Sequence, residues 1–204
     1  MTLELDRLEV GPWPMNCYLL RCSETGEVAV VDPGADAASI LEIVGERTVR
    51  CILLTHAHPD HVGALEKVRQ TTGAPVGIHP ADAEQFDIDG DFPLLPGMEV
   101  EIGESVVQVA HVPGHTPGSV CFRLGDQAVV GDAIFPGGPG HTASPEALAQ
   151  SLFSLGEVVF TWPDETKLYP GHGGPTTVGA ERADFERFLA TDPPPGLCGD
   201  VAWR

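Results

Sequence analysis

The chain has 204 residues, 42% of them hydrophobic, which is enough for one substantial core and short for two. A formal charge of −19, from 30 acidic and 11 basic residues, excludes the extended basic surface that nucleic-acid binding requires. The sequence shows neither a signal peptide nor an apolar segment long enough to span a bilayer, so we expect a cytoplasmic protein without membrane partners.

Short apolar runs alternate with segments of helical periodicity along the chain. The apolar and β-branched runs predict strands at 16–21, 27–31, 51–54, 76–79, 106–112, 119–124, 128–131 and 167–169. Helices are predicted after Asp36 as an N-cap, from the end of the 56–61 segment to Gly73, after Ser144, and over 177–189. We expect one domain over 1–190 with mixed sheets covered by helices, an acidic loop at 82–91, and a Pro-rich surface extension at 191–204.

The most informative segment follows the apolar run at 51–54. Three imidazoles and one carboxylate, from His56, His58, Asp60 and His61, occupy six consecutive positions there. Imidazole and carboxylate groups are ligands for zinc and iron in proteins. A solvated His-rich loop is the alternative interpretation. The position of these residues between a predicted strand and a predicted helix favours a metal site.

Three other predicted strands end in Gly- and Pro-rich loops that each carry one further potential ligand. These residues are His115, Asp132 and His172. Side chains at strand ends are held rigidly, and a following glycine lets the backbone pass close to a metal or substrate. Each residue alone is more readily explained as a hydrogen-bonded surface group. Together with the first loop they form a set of seven donors.

This set resembles the metal-binding signature of the metallo-β-lactamase superfamily over residues 10–190. The resemblance rests on Thr55-His56-x-His58-x-Asp60-His61, on His115, Asp132 and His172 in that order, and on Val31-Asp32-Pro33-Gly34. It implies an α+β fold, a four-layer αββα sandwich with the metal site at one edge. The motifs at 115–119, 131–135 and 171–173 look most like those of short bacterial members of the glyoxalase II group, the hydroxyacylglutathione hydrolases.

The resemblance also implies a set of ligands for each of two divalent metal ions. It assigns His56, His58 and His115 to one ion, and Asp60, His61 and His172 to the other, with Asp132 as the bridge. Zinc is the first expectation for both ions, with iron or manganese as alternatives. Asp60 and Asp132 are thereby expected to be catalytic, in a reaction in which metal-bound hydroxide attacks a carbonyl. Asp60 could instead orient the nucleophile or accept its proton.

For several residues outside the donor set, the sequence allows more than one role. Asp32 is expected to hold a ligand imidazole, or else only to form the turn before Pro33. The resemblance places His141 where glyoxalase II relatives bind a glutathione carboxylate, and Arg182 is a further candidate for substrate binding; each could equally be a surface residue. His79 and His111 are expected to be structural.

Four functions are compatible with the sequence. The favoured one is hydrolysis of a thioester of the S-acylglutathione type, or of a related small ester. The second is an iron-dependent persulfide dioxygenase, which the resemblance also allows and which would use one ion held by His56 or His58 with His115 and Asp132. Lactonase or β-lactamase activity and non-catalytic metal binding are the others. The expected partner is a small molecule, and the sequence predicts no oligomeric state.

Overall fold

The computed structural model describes residues 3–191 and 193–203. Within these ranges the strands are β1 (Leu3–Val10), β2 (Met15–Cys22), β3 (Val28–Val31), β4 (Val49–Leu53), β5 (Val76–Ile78), β6 (Phe92–Pro93), β7 (Glu99–Ile102), β8 (Ser105–His111), β9 (Val120–Leu124), β10 (Gln127–Gly131), β11 (Ile134–Phe135), β12 (Gly138–Pro139), β13 (Lys167–Pro170) and β14 (Thr176–Thr177). The helices are α1 (Ala37–Val44), α2 (Pro59–Val62), α3 (Leu65–Thr72), α4 (Pro80–Phe86), α5 (Pro145–Glu157) and α6 (Val178–Ala190), with a 3₁₀ turn at Val159–Thr161.

These strands form two six-stranded sheets and a small ribbon of β11 and β12. The first sheet has the order β1-β2-β3-β4-β5-β6, antiparallel as far as β3 and parallel from β3 to β6. The second has the order β14-β13-β10-β9-β8-β7 and is antiparallel except for the pair β10 and β13. The carboxyl ends of β3, β4 and β5 therefore lie at one edge of the first sheet.

Alternating side chains give each central strand two apolar faces. In β2, Cys17 and Leu19 face the helices outside the first sheet, whereas Tyr18 and Leu20 face the second sheet. Phe122 of β9 is fully buried in the same layer between the sheets. The period of two residues therefore places one core between the sheets and a second core outside the first sheet.

The helices complete the outer layers. Ile40 of α1 and Val68 of α3 are buried against the first sheet, and Leu155 of α5 and Phe185 of α6 against the second. Each such side chain stabilises the fold by about 1.5–3 kcal/mol through burial. This order of layers confirms the predicted α+β fold, a four-layer αββα sandwich. No helix in the described ranges is long and apolar enough to cross a membrane.

The acidic segment that the sequence predicts to be a loop contains α4 instead. His79 caps this helix by accepting the backbone N–H of Ala81 at 3.2 Å, and Pro80 occupies the first position. Asp82, in the first turn, is completely buried. The usual N-cap residues are Ser, Thr, Asp and Asn, so a histidine cap leaves no clear helix signal in the sequence.

One other predicted helix boundary differs in the structure, and one agrees without the expected capping bond. The helix expected to run to Gly73 is broken into α2 and α3 at Gly63, because the next N–H, that of Ala64, donates to the Pro33 carbonyl at 2.9 Å. Asp36 does occupy the N-cap position of α1, but its carboxylate accepts the N–H of Gly11 at 2.8 Å and makes no capping bond.

Strands β1 and β7 are absent from the sequence prediction. β1 pairs with β2 along its whole length, from Leu3 opposite Cys22 to Val10 opposite Met15. β7 alternates exposed glutamates with buried Val100 and Ile102. Charged outward-facing residues weaken the sequence signal of both strands, which are stabilised by pairing with a neighbour.

The C-terminal residues are not the surface extension that the sequence predicts. Pro194 and Pro195 are exposed, but Val201 and Trp203 are buried. The indole N–H of Trp203 donates to the carboxylate of Glu181 at 3.1 Å, and its ring contacts Phe185 at a centroid distance of 5.7 Å. Burial of the large indole side chain holds this segment against the second sheet. Of the predicted domain and extension, residues 1, 2, 192 and 204 lie outside the described part.

Gly34 tests the packing that holds α2 beside β3. A Cβ atom there would lie 1.8 Å from the Asp60 carbonyl oxygen and 2.1 Å from Met15 Cε. We expect Gly34→Ala to lower the free energy of unfolding by about 1–3 kcal/mol in urea denaturation, because backbone must move. In the control Gly174→Ala nothing lies within 4 Å of the added carbon, so a change below about 0.5 kcal/mol is expected. Equal effects would contradict this packing.

Candidate metal centre

The predicted donors converge where several strands end. The loop after β4 carries His56, His58 and, in α2, Asp60 and His61, while β10 and β13 end just before Asp132 and His172. The seventh donor, His115, lies in the loop between β8 and β9. The two sheets therefore deliver their donors to one common edge, as expected for a site carried by loops on a rigid scaffold.

Three imidazoles form the first cluster, which consists of His56, His58 and His115. Nε2 of His115 lies 2.8 Å from Nδ1 of His58 and 3.2 Å from Nε2 of His56. One nitrogen from each ring lies within 4.8 Å of the other two. Three imidazole nitrogens that face one point are the geometry of a zinc or iron site.

The second cluster consists of Asp60, His61 and His172. Nε2 of His172 lies 3.1 Å from Oδ2 of Asp60, and Nε2 of His61 lies 4.0 Å from the same oxygen. His61 is completely buried, whereas the Asp60 side chain is 43% exposed. This cluster is therefore anchored in the interior and open to solvent on the Asp60 side.

The carboxylate of Asp132 lies between the two clusters. Its Oδ1 is 3.4 Å from Nε2 of His61, and its Oδ2 is 3.7 Å from Nε2 of His115 and 3.8 Å from Nε2 of His172. Gly171 makes this approach possible, because a Cβ atom there would lie 2.2 Å from Oδ1 of Asp132. One carboxylate can thus contribute an oxygen to each side.

In most of these imidazole rings one nitrogen faces inward, and a hydrogen bond made by the other nitrogen fixes the orientation of the ring. Nδ1 of His115 donates to the His141 carbonyl at 2.8 Å, and Nδ1 of His172 donates to the Pro14 carbonyl at 2.9 Å. Nδ1 of His61 donates to Oδ2 of Asp32 at 3.0 Å. These bonds orient the rings and leave Nε2 of each one facing the centre, which is how proteins commonly hold metal-binding histidines.

Asp32 organises the base of the site beyond its bond to His61. Its two oxygens also accept the backbone N–H of Thr55 at 2.7 Å and the Thr55 hydroxyl at 2.6 Å. The hydroxyl oxygen of Thr55 lies 3.1 Å from Nδ1 of His56. Asp32 has a left-handed backbone conformation, with φ of 51°, that is costly for a residue other than glycine. Its side chain thus links both clusters.

Buried polar atoms without a hydrogen bond indicate what the centre binds. Nε2 of His61 and Oδ1 of Asp132 are both buried and have no hydrogen-bond partner among the described residues. Leaving such groups unsatisfied costs about 1–3 kcal/mol each. These two atoms lie 3.4 Å apart, and the three nitrogens of the first cluster lie within 4.8 Å of one another. The residues present therefore fit two divalent metal ions.

The pKa values of the buried donors diverge. Burial, together with the neighbouring imidazoles, lowers the pKa of His56 well below its usual value, and burial and His115 lower that of His58. Burial also opposes a charge on His61, but the carboxylates of Asp132 and Asp32 outweigh it and raise its pKa to about 10. His61 holds the pKa of Asp132 below its usual value despite burial. Without metal, His61 is therefore a cation between two carboxylates.

Asp82 is a structural carboxylate of the site that the sequence analysis missed. It accepts the N–H groups of Ala57 at 3.0 Å and Gly118 at 2.6 Å, and the hydroxyl of Thr116 at 2.9 Å. It thus ties the loop of His56 and His58 to the loop of His115. A buried aspartate in a helix carries no sequence signal of this kind, because its partners lie 25 to 36 residues away.

The two substrate-binding candidates have different surroundings. The His141 ring is largely exposed, and its Nδ1 lies 3.0 Å from Asp200. Arg182 instead uses its guanidinium on Asp164 at 2.7 Å and on the carbonyls of Phe160 at 2.5 Å and Trp162 at 3.0 Å. These contacts anchor α6 to the 3₁₀ turn, and none of them involves either cluster. The role predicted for Arg182 in substrate binding stays a prediction.

The remaining histidines form a stacked pair outside the two clusters. The His79 and His111 rings lie 4.1 Å apart with an interplanar angle of 9°. Nε2 of His111 also donates to the Pro117 carbonyl at 2.9 Å. Since His79 caps α4, both side chains have structural partners, in agreement with the role predicted for them.

Metal binding should be coupled to proton release at His61. Because its pKa is raised to about 10 without metal, the ring is protonated at pH 7 and must lose that proton from Nε2 to bind an ion. We expect the affinity for one of two zinc ions to fall by about tenfold for each unit of pH lowered from 8 to 6. Calorimetry in buffers of different ionisation enthalpy measures the released proton. An affinity independent of pH over this range would contradict the assignment.

The proteins with similar sequences include two with descriptive names. A hydroxyacylglutathione hydrolase from Cereibacter sphaeroides is 37% identical over 183 residues, which cover 87% of this chain and 68% of that protein. The probable metallo-hydrolase YqgX from Bacillus subtilis is 34% identical over 206 residues, which cover 90% of this chain and 96% of that protein.

Solved structures share the fold. ETHE1 from Myxococcus xanthus superposes with a TM-score of 0.79 at 29% identity, covering 98% of this chain and 96% of that protein. TTHA1623 in a di-iron-bound form superposes with a TM-score of 0.69 at 34% identity, covering 87% and 96%. The sequence model of the metallo-beta-lactamase superfamily matches residues 10–185, a range that includes all seven donors. The chain belongs to the metallo-β-lactamase superfamily.

Proposed function

We propose that this chain is a metal-dependent hydrolase that cleaves a thioester of the S-acylglutathione type, or a related small ester, at a centre of two divalent ions. The observation that carries the proposal is the position of Asp132, whose two oxygens face different clusters. His56, His58 and His115 would hold one ion, and Asp60, His61 and His172 the other. The similarity to a hydroxyacylglutathione hydrolase supports the choice of a thioester.

The chemistry requires a nucleophile at neutral pH and an acceptor for negative charge. Two divalent ions supply both, since they lower the pKa of a bound water from about 16 towards about 7 and polarise a carbonyl oxygen. Asp132 supplies negative charge between the clusters, and the low pKa values of His56 and His58 keep these two imidazoles neutral. Asp60, whose side chain is 43% exposed, would leave the second ion open to solvent on its side.

The thiolate leaving group does not require a general acid from the protein. A thiol has a pKa of about 8.5, so a thiolate departs without protonation by a strong general acid. The site accordingly needs no histidine or carboxylic acid beyond the seven donors. A small uncharged ester could be attacked in the same way, because polarisation of the carbonyl does not depend on sulfur.

Zinc is the metal that we propose, with iron or manganese as alternatives. All donors are imidazole nitrogens or carboxylate oxygens, a set that each of these ions accepts. Iron is a specific candidate because the similar protein TTHA1623 has been solved in a di-iron-bound form. A cytoplasmic location stays a prediction.

The seven donors bear differently on the two main alternatives. A dioxygenase with a single iron would need only two imidazoles and one carboxylate, and the presence of Asp60, His61 and His172 beside them does not exclude it. A structural zinc site is closed by four ligands and has no open position. Here seven donors converge, and Asp60 is 43% exposed. This excess and opening are typical of catalytic sites.

Metal-reconstituted protein tests the proposal. We expect two equivalents of metal by elemental analysis and hydrolysis of acyl thioesters such as S-lactoylglutathione. Asp132→Asn should lower kcat/KM by at least about 100-fold, a loss of about 2.7 kcal/mol in transition-state stabilisation. The control Asp126→Asn, at an exposed turn, should leave kcat/KM within twofold.

Two results would contradict different parts of the proposal. One is full activity in the Asp132→Asn variant, which would contradict the role of Asp132 between two ions but not thioester hydrolysis itself. The other is rapid oxygen consumption by iron-loaded protein with glutathione persulfide, without thioester cleavage, which would establish the dioxygenase instead.

A further inference from the structure

A cavity of about 450 Å³ opens beside His115. Its walls come from the end of α4, from the loop after β8 and from the start of α5. The lining residues are Gln85, Pro113, Gly114, His115, Pro117, Ala143, Ala147 and Gln150. The volume lies in the range of about 300–1,000 Å³ that is usual for small-molecule pockets.

The lining has a distinct chemical character. Five of its residues are proline, glycine or alanine, and the two glutamines offer neutral amide groups. Among the described residues that line the cavity, His115 is the only titratable one, and its Nε2 faces His58 in the first cluster. None of these described lining residues is Lys or Arg. A carboxylate placed there would therefore gain no opposite charge from the lining.

The cavity adjoins the first cluster at His115. His115 lines the cavity together with Gly114 and Pro117, and its Nε2 lies 3.2 Å from Nε2 of His56 in the first cluster. A substrate whose carbonyl lies at the centre can therefore extend a neighbouring group past His115. The small side chain of Ala147, in the first turn of α5, leaves the space for that group.

We infer that this cavity binds the uncharged, apolar acyl arm of a neutral acyl thioester. This inference rests on the proposed function and narrows its substrate class. Apolar carbon atoms of the arm would contact Pro113, Pro117 and Ala147, with Gln85 and Gln150 as neutral hydrogen-bonding groups at the rim. Charged parts of a thiol carrier, such as the two carboxylates of a glutathionyl group, are excluded from the cavity and remain in solvent.

Two matched substitutions in α5 test the inference. Ala147→Leu fills the cavity, whereas Ala149→Leu adds the same side chain at an exposed position outside the lining. The substrates are thioesters of N-acetylcysteamine with acetyl, butyryl and hexanoyl arms, which carry no charge. We expect kcat/KM of the wild type to rise with acyl length. Ala147→Leu should lower kcat/KM for the hexanoyl thioester at least tenfold, with metal content unchanged, and Ala149→Leu by less than twofold.

A binding measurement separates failure of this inference from failure of the proposed function. A thioether analogue, S-hexyl-N-acetylcysteamine, cannot be hydrolysed and reports occupancy by calorimetry. Loss of analogue binding in Ala147→Leu alone supports the cavity even if no thioester is cleaved, in which case only the proposed function fails. Equal binding and equal acyl-length dependence in wild type and Ala147→Leu would overturn the inference while leaving the hydrolase intact.

A second and independent set of contacts involves the C-terminal segment, residues 199–203. This segment pairs with the loop of residues 137–142 through two backbone bonds between Thr142 and Gly199, at 2.8 and 3.2 Å. The N–H of Trp203 donates to the Gly137 carbonyl at 2.9 Å. Glu181, completely buried, accepts both the Gly137 N–H at 2.9 Å and the Trp203 indole N–H at 3.1 Å.

The loop held in this way contacts a metal donor directly. The carbonyl of His141 accepts the Nδ1 proton of His115 at 2.8 Å. Gly140 lies against the backbone of Asp132, since a Cβ atom there would lie 1.7 Å from the Asp132 carbonyl oxygen. We propose that the C-terminal segment positions His115 by fixing the 137–142 loop. Its loss should therefore weaken the first cluster more than the second.

Metal affinity tests this positioning role separately from stability. A chain ending at Leu197 should bind one zinc ion with wild-type affinity and the other at least tenfold more weakly, measured by competition with a chromophoric chelator. Because the shortened chain could fail to fold, Trp203→Phe keeps the aromatic ring and removes only the bond to Glu181. That variant should weaken one site by about threefold to tenfold. Wild-type affinity at both sites in a folded shortened chain, or equal weakening of both sites in Trp203→Phe, would overturn the role.

Discussion

The structure depends on one electrostatic constraint: a buried carboxylate must be neutralised between imidazoles that come from both sheets. Asp132 is within 3.4 to 3.8 Å of nitrogens from His61, His115 and His172. Without metal, the proton on His61 provides the compensating charge, as its raised pKa shows. With metal, the ions provide it instead. In the folded state, the negative charge at this site is therefore partly compensated by protons when no metal is bound. Bound cations would compensate it fully.

The scaffold holds the seven donors through hydrogen bonds to groups outside the donor set. Asp32 binds Thr55 and His61, and Asp82 joins the loops of His58 and His115. Backbone carbonyls orient His115 and His172 in the same way. Each bond restricts a ring that would otherwise rotate, so less entropy is lost when an ion binds. The open side near Asp60 and the cavity beside His115 are then the parts of the centre left for a substrate.

The sequence predicts the metal donors better than it predicts the groups that hold those donors in place. His56, His58, Asp60 and His61 are adjacent in one loop, and the remaining donors follow strand ends, so residue type and position together reveal them. Asp82 could not be recognised, because its role depends on three partners at distant positions in the chain. The carbonyls of Pro14 and His141 have no residue-type signature at all. The pairing of Arg182 with Asp164 could not be predicted either, since an exposed arginine and a paired one look identical in sequence.

The fold likewise has elements that the sequence reveals directly and others that depend on distant partners. Strands with alternating apolar residues were predicted, whereas β1 and β7 carry too many charges to be recognised without their partners. The burial of Trp203 likewise depends on Glu181 and Phe185, which precede it by 22 and 18 residues and belong to a helix.

The central claim, that Asp132 joins two metal ions, is tested most directly by a crystal structure of zinc-loaded protein with anomalous diffraction at the zinc edge. Two anomalous peaks about 3.5–4 Å apart are predicted, with one Asp132 oxygen bound to each. A single peak among His56, His58 and His115, with Asp132 bound on one side only, would contradict the account.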